Sequence, residues 1–149
     1  MDWGTRTARA SKSAQTLGAV RALVVRYRPD RLLLEDCHAP GSRRHPRICA
    51  LSERVRYLAA DESVRTAAIS RRRVHRAFAP SGARTRHEIA VAISRIFPET
   101  EGRLPPYREA YMSEDDRLSI FDAVSFALTH AHQGGSVRVP GTAAGPQLV

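Results

Sequence analysis

Apolar positions along this chain follow two rhythms, and the switches between them lay out its elements. From Ala14 to Arg28, Leu17, Val20, Leu23, Val24 and Tyr27 recur at helical spacing, and Pro29-Asp30 closes that helix. Leu32-Leu33-Leu34 is a short unbroken apolar run, which predicts a strand buried on both faces. A loop from His38 to Arg47 follows. Ile48, Leu51, Val55 and Leu58 then predict a second amphipathic helix ending near Asp61, and Val64 to Ile69 reads as a second buried strand. Ser70 is placed to cap a short helix from Arg71 to Phe78, and Pro80-Ser81-Gly82 breaks the chain. Thr85 with Glu88 forms the pattern of a capping box, opening a helix through Ile89, Ala92, Ile93 and Ile96 that Phe97-Pro98 stops. Residues 99–112 are a proline-rich connection. Ser113 with Asp116 predicts the start of a last helix that runs to about His132, ahead of Gly134-Gly135. A helix, a tight link and a buried strand, repeated, predict an α/β layer. No internal repeat is visible.

Composition turns that outline into one domain with a tail. At 149 residues and 42% hydrophobic the chain is long enough for a single core. Residues 133–149, rich in Gly, Pro and Ala, predict a flexible tail behind a domain at 1–132. No run approaches the roughly 20 apolar residues of a membrane span, and the start has no apolar signal core, so a cytoplasmic protein is expected. Cys37 and Cys49 lack CxxC spacing and read as reduced thiols.

Charge adds a partner. Lys plus Arg number 24 against 15 Asp plus Glu, a net charge of +9, and Lys12 is the single lysine. An excess of arginine points first to a polyanion such as nucleic acid, against the plainer reading of a solvated basic surface. Arg43, Arg44 and Arg47 cluster beside Glu35, and Arg71, Arg72, Arg73, Arg76, Arg84 and Arg86 cluster after the second strand. Both clusters suit phosphate positioning. Trp3 and Tyr107 are candidates for base stacking, or plain aromatics. No histidine pair has metal-ligand spacing, and His130 and His132 read as helix-end residues.

Two acids stand out. Glu35, followed by Asp36, closes a predicted strand, where ligands gather in open α/β sheets; the plainer reading makes both loop acids or helix-dipole partners. Asp122 sits among Ile120, Phe121, Ala123, Val124, Phe126, Ala127 and Leu128, where a charge is expensive unless paired or metal-bound. The plainer reading is a salt bridge to an arginine. If the helix starts at Ser113, Asp115 shares the face of Asp122 about two turns earlier, while Glu114, Asp115 and Asp116 also suit the helix N-terminal dipole.

Three stretches carry a resemblance. Arg31-Leu32-Leu33-Leu34-Glu35, then Gly82-Ala83-Arg84-Thr85-Arg86 ahead of a helix, then Asp122-Ala123 through Thr129-His130 resemble the RuvC-like Holliday-junction resolvases, a family of RNase H-like nucleases. Together they span about residues 1–132. The resemblance implies an α/β, RNase H-like three-layer fold with a mixed sheet. It implies a metal-dependent endonuclease acting on branched or structured DNA, with Mg²⁺ or Mn²⁺ held by Glu35 and Asp122 and by Asp115 as auxiliary. Arg86 would lie near the scissile phosphate, with Arg43, Arg44, Arg71, Arg72, Arg73 and Arg84 on nucleic acid. Two copies would act as a homodimer. The chain departs from the family at two places. Ser119 stands where the family has an acid or His, and the first-strand aspartate has no counterpart, since Asp2-Trp3-Gly4 resembles the end of a third strand. The first β-hairpin is therefore expected to be missing. A non-catalytic nucleic-acid-binding protein derived from the same fold is the alternative.

Overall fold

The structure is a computed structural model that describes residues 13–107, 115–132 and 137–140. The readings placed on Asp2-Trp3-Gly4, Lys12, Ser113, Glu114 and Gly134-Gly135 lie outside them. The chain divides at Arg71 into two compact units, each built by its own rules.

The first unit contains α1 (Ser13–Tyr27), β1 (Arg31–Glu35), α2 (Pro46–Asp61) and β2 (Arg65–Ile69). α1 ends where Arg28 takes a left-handed φ of 42° and its N–H donates to the Val24 carbonyl at 2.8 Å. Pro29 cannot continue the helix, and the chain then extends into β1. α2 opens on His45, whose ring nitrogen accepts from the Arg47 N–H at 3.2 Å, with Pro46 in the first turn, where its missing N–H costs nothing. α2 is the crossover between two parallel strands, which need such a connection. β1 and β2 pair in register from Arg31 opposite Arg65 to Glu35 opposite Ile69. α2 packs on both strands and against α1, where Arg21 Nε meets Glu62 Oε1 at 2.6 Å.

One expectation changes here. β1 is half-buried along Leu32, Leu33 and Leu34 rather than buried on both faces. Among the described residues the sheet has two strands, both parallel, so β1 has one strand neighbour and lacks the cover of a full doubly packed sheet. The antiparallel member that a mixed sheet requires is not among these residues.

The second unit holds α3 (Arg71–Phe78, largely), α4 (Arg86–Ile96) and α5 (Leu118–Ala131), with 3₁₀ turns at Ala79–Ser81 and Pro98–Arg103. Gly82, at φ 80°, makes the left-handed step out of the first 3₁₀ turn that a side chain would resist. The predicted capping box is present. Thr85 Oγ1 accepts from the Glu88 N–H at 3.2 Å, and the Glu88 carboxylate accepts from the Thr85 N–H at 2.8 Å. Glu88 also takes the Arg84 N–H; these two backbone donors, the largest causes, hold its pKa below the usual value. α4 packs against α5 over a core that includes Phe78, Ile89, Ile93, Phe121 and Phe126.

α5 starts at Leu118, later than expected. Arg117 occupies the cap position without a side-chain cap bond, and the Asp115 and Asp116 carbonyls accept from Leu118 and Ser119 in a turn. Of the stretch expected as a tail, residues 137–140 are described. Val137 and Val139 are buried, and the Val137 N–H donates to the Ala77 carbonyl at 2.9 Å. Among the described residues no helix is long and apolar enough to cross a membrane.

Candidate functional site

Glu35 is the last residue of β1, and the chain turns immediately after it. The Asp36 N–H donates to the Ile69 carbonyl at 3.0 Å, and Asp36 Oδ1 accepts from the His38 N–H at 3.0 Å. Asp36 therefore shapes the turn, as the plainer reading held. Glu35 is gripped from two directions. Arg44, from the loop, donates to Oε2 through Nη2 at 2.6 Å and Nε at 2.9 Å. Arg71, just beyond β2, donates to Oε1 through Nε at 3.0 Å. The Glu35 side chain is 18% exposed. Burial pushes its pKa upward, but the hydrogen bonds and charges of Arg44 and Arg71 together outweigh that and hold it below 4.5.

Asp122, on α5, has the salt bridge of the plainer reading. Arg86, the first residue of α4, reaches it because α4 and α5 pack together. Arg86 Nε donates to Oδ1 at 3.3 Å, and Nη2 closes a second, tighter contact on Oδ2. The Asp122 side chain is also 18% exposed. The Ser125 hydroxyl donates to the Asp122 carbonyl at 2.7 Å.

Asp115 lies ahead of α5, so the helical-face argument that aligned it with Asp122 does not hold. It is clamped locally. Arg117 donates from its backbone N–H and Nε to Oδ1, both at 3.0 Å, and from Nη2 to Oδ2 at 2.8 Å. The Asp115 hydrogen bond and charge raise the Arg117 pKa. Ser119 donates its hydroxyl to the Asp116 carbonyl at 2.6 Å.

The arginines thus fall into two groups. Arg44, Arg71 and Arg86 hold carboxylates. Arg43, Arg72 and Arg84 are exposed, and Arg73 is half-buried. Tyr107 is exposed, with its ring edge-on to His87 at 5.5 Å.

Carboxylate oxygens are the right donors for Mg²⁺ or Mn²⁺. In Glu35, Asp122 and Asp115, however, both oxygens of each carboxylate face a guanidinium. Among the described residues no three His, Cys, Asp or Glu side chains gather as a metal cage. In this arrangement the acids fit arginine, not a divalent ion.

One juxtaposition was missed in the sequence. Cys37 follows the β1 turn, Cys49 lies in the first turn of α2, and the two side chains act on one another. Burial, then the neighbouring Cys49 thiol, pushes the Cys37 pKa up to about 11. Spacing alone hid the pair, since a βα connection rather than a CxxC turn joins them.

No family model matches the chain, and no curated protein matches it in sequence. Among solved structures, the RuvC structure from Thermus thermophilus superimposes with a TM-score of 0.58 at 19% identity, covering 86% of this chain and 71% of that one. At that identity the likeness is one of fold: the chain has a RuvC-like α/β fold.

Proposed function

We propose that this chain binds structured or branched DNA through a RuvC-type fold, using arginine contacts to phosphate. The observation that carries this reading is that each acid expected to ligate metal holds a guanidinium instead. An ion pair of this kind fixes an arginine in one rotamer and so lowers the ordering cost when a phosphate arrives. Arg43, Arg72 and Arg84, exposed on the surface, add backbone contacts that carry no sequence information. A homodimer belongs to the proposal, because a four-way junction offers two equivalent faces to two copies.

A second reading is a metal-dependent endonuclease of the RuvC type, with Glu35 and Asp122 as its acids. The observation in its favour is their placement: Glu35 ends a sheet strand, and Asp122 sits on the last helix of the described fold. As arranged, with both oxygens of each carboxylate on a guanidinium, these acids do not fit a metal.

One experiment separates the two. The full chain is titrated onto a synthetic four-way junction and a matched linear duplex at several salt concentrations, with and without Mg²⁺. The binding reading expects junction affinity to fall linearly in log–log form with salt, by about 0.9 per phosphate contact, and no nicking. Mg²⁺-dependent nicking abolished in Glu35→Gln and Asp122→Asn would overturn it in favour of the endonuclease. Absence of binding to either DNA would sink both.

A further inference from the structure

Cys37 and Cys49 are the chain's two cysteines, and the segments that carry them meet, Cys37 beside His38 and Cys49 one turn before Glu53. The chain is held firmly on both sides of the pair. On one side, β1 is locked to β2, the Asp36 N–H bonds to Ile69, and Asp36 caps the turn at His38. On the other, Cys49 is anchored by its N–H to the His45 carbonyl at 3.3 Å in the first turn of α2. One contact ties the two segments. His38 Nε2 lies 3.7 Å from Glu53 Oε1, and Glu53 is one helical turn beyond Cys49 on the same face of α2. Both thiols are free and partly exposed, so a small oxidant can reach them.

We propose that Cys37 and Cys49 are a redox-active dithiol that closes to an intramolecular disulfide across residues 38–48. Those residues carry Arg43, Arg44 and Arg47, so the bond is a covalent clasp on the basic loop beside Glu35. The reaction is thiol–disulfide exchange with a small-molecule disulfide such as glutathione disulfide. One cysteine thiolate attacks a sulfur of that disulfide, releasing one glutathione thiol and leaving a mixed disulfide on the protein. The second cysteine attacks the protein-bound sulfur and releases the other glutathione. Two protein thiols become one disulfide, one small disulfide becomes two thiols, and the two protons leave with the glutathione. The meeting of the two segments favours the second step over any intermolecular capture, because the attacking thiol is held near its target.

The test is equilibration of the full-length chain in graded mixtures of reduced and oxidised glutathione. Remaining thiols are then alkylated, and the intact mass and tryptic map are recorded under non-reducing conditions. Expected is a monomer that loses both thiols together, with peptides 32–43 and 48–54 joined through Cys37 and Cys49, and full reversal by dithiothreitol. The closed form is expected at least tenfold more populated in the folded chain than in the same chain in urea at one glutathione ratio. Cys49→Ser is expected to stop at a glutathione adduct on Cys37; the wild-type map stands without it. Mixed disulfides on both cysteines, disulfide-linked dimers, thiols that stay alkylatable throughout, or equal closure in urea would each overturn the proposal.

Discussion

The two units of this chain are held by different means. The second unit buries large apolar side chains outright: Phe78 and Ile93 are fully covered, Phe121 is 1% exposed, and Ile89 and Phe126 are nearly so. The first unit buries Val24, Val55, Ala59 and Ile69, and its strand leucines remain half-exposed. Its order depends more on a five-residue parallel ladder and on polar clasps such as Arg21–Glu62 and Arg44–Glu35–Arg71. The acids follow the same division. Asp122 is half-buried on a helix whose packing supplies Arg86, whereas Glu35 ends a lightly covered strand and is fixed by two arginines, Arg44 from the adjoining loop and Arg71 from beyond β2. In the second unit the core places the charges; in the first, the charges help place the chain.

Paired core truncations give the largest expected effect. Phe121→Ala should destabilise the protein by about 3–5 kcal/mol, combining lost transfer energy with a cavity the packed helices cannot fully close. Leu33→Ala, in the half-exposed strand, should cost about 1 kcal/mol, since only part of its surface leaves water. Urea unfolding followed by circular dichroism measures both. Equal costs would erase the contrast between the units and mean that the β1 leucines are as well covered as the helical core.

Glu35→Gln comes next and probes the polar side. A charged pair at a half-buried position is worth roughly 1.5–3 kcal/mol when its hydrogen bonds are good, so a loss of about 1–2 kcal/mol is expected at neutral pH. The pH dependence has a definite sign. The folded pKa of Glu35 is depressed, so its stabilisation is fully present above the ordinary carboxylate value near 4.5 and is lost as pH falls through the lower folded value. The wild type should therefore approach the variant in stability under acid, and the two urea curves should converge there. A gap that persists unchanged at low pH would break the assignment of the clasp to the Glu35 charge. On DNA, the same variant leaves Arg44 and Arg71 without their acid. Because that acid orients both arginines for phosphate, the binding reading expects a several-fold loss of junction affinity that is the same with and without Mg²⁺, whereas loss of an essential metal ligand would act on the Mg²⁺-dependent reaction.

Local signals were legible in the sequence where chemistry and geometry coincide within a few residues. Thr85 and Glu88 cap each other three apart, Pro29 ends α1, and the apolar spacing of α2 and α4 survives almost to the residue. The Asp122 salt bridge was foreseeable as a type of contact, because a charge on an apolar helix needs a partner; its identity as Arg86 required the α4–α5 packing. What stayed hidden depends on packing across the chain. The cover on β1 is set by how many strands flank it, which an apolar run does not state. The start of α5 was misread because Ser113 and Asp116 have capping spacing, yet the turn at Asp115 and Asp116 uses backbone carbonyls and an Asp115–Arg117 clasp. That difference moved Asp115 off the face of Asp122. Cys37 and Cys49 met only once the βα connection was folded.

The smallest expected effect tests whether the Asp115–Arg117 clasp belongs with the other two. All three acids have both carboxylate oxygens on guanidinium, and geometry alone makes them look equivalent. Their surroundings differ. The Arg117 side chain is 53% exposed, against 30% for Arg71 and 26% for Arg86. It also sits two residues from its partner, so little chain entropy is recovered by holding it. The Asp115 side chain is only 9% exposed, but it keeps the Arg117 backbone N–H as a donor when the guanidinium is removed, and a guanidinium this far into water is screened by salt. Arg117→Ala is therefore expected to leave the urea midpoint within error of wild type at physiological salt, with any shift vanishing in 1 M NaCl. Arg86→Ala should lower the midpoint measurably in both, because it takes the guanidinium away from a half-buried Asp122. An Arg117→Ala loss as large as that of Arg86→Ala would mean that the turn before α5 is a supporting part of the second unit, and that the distinction between core-placed and locally placed charges fails there.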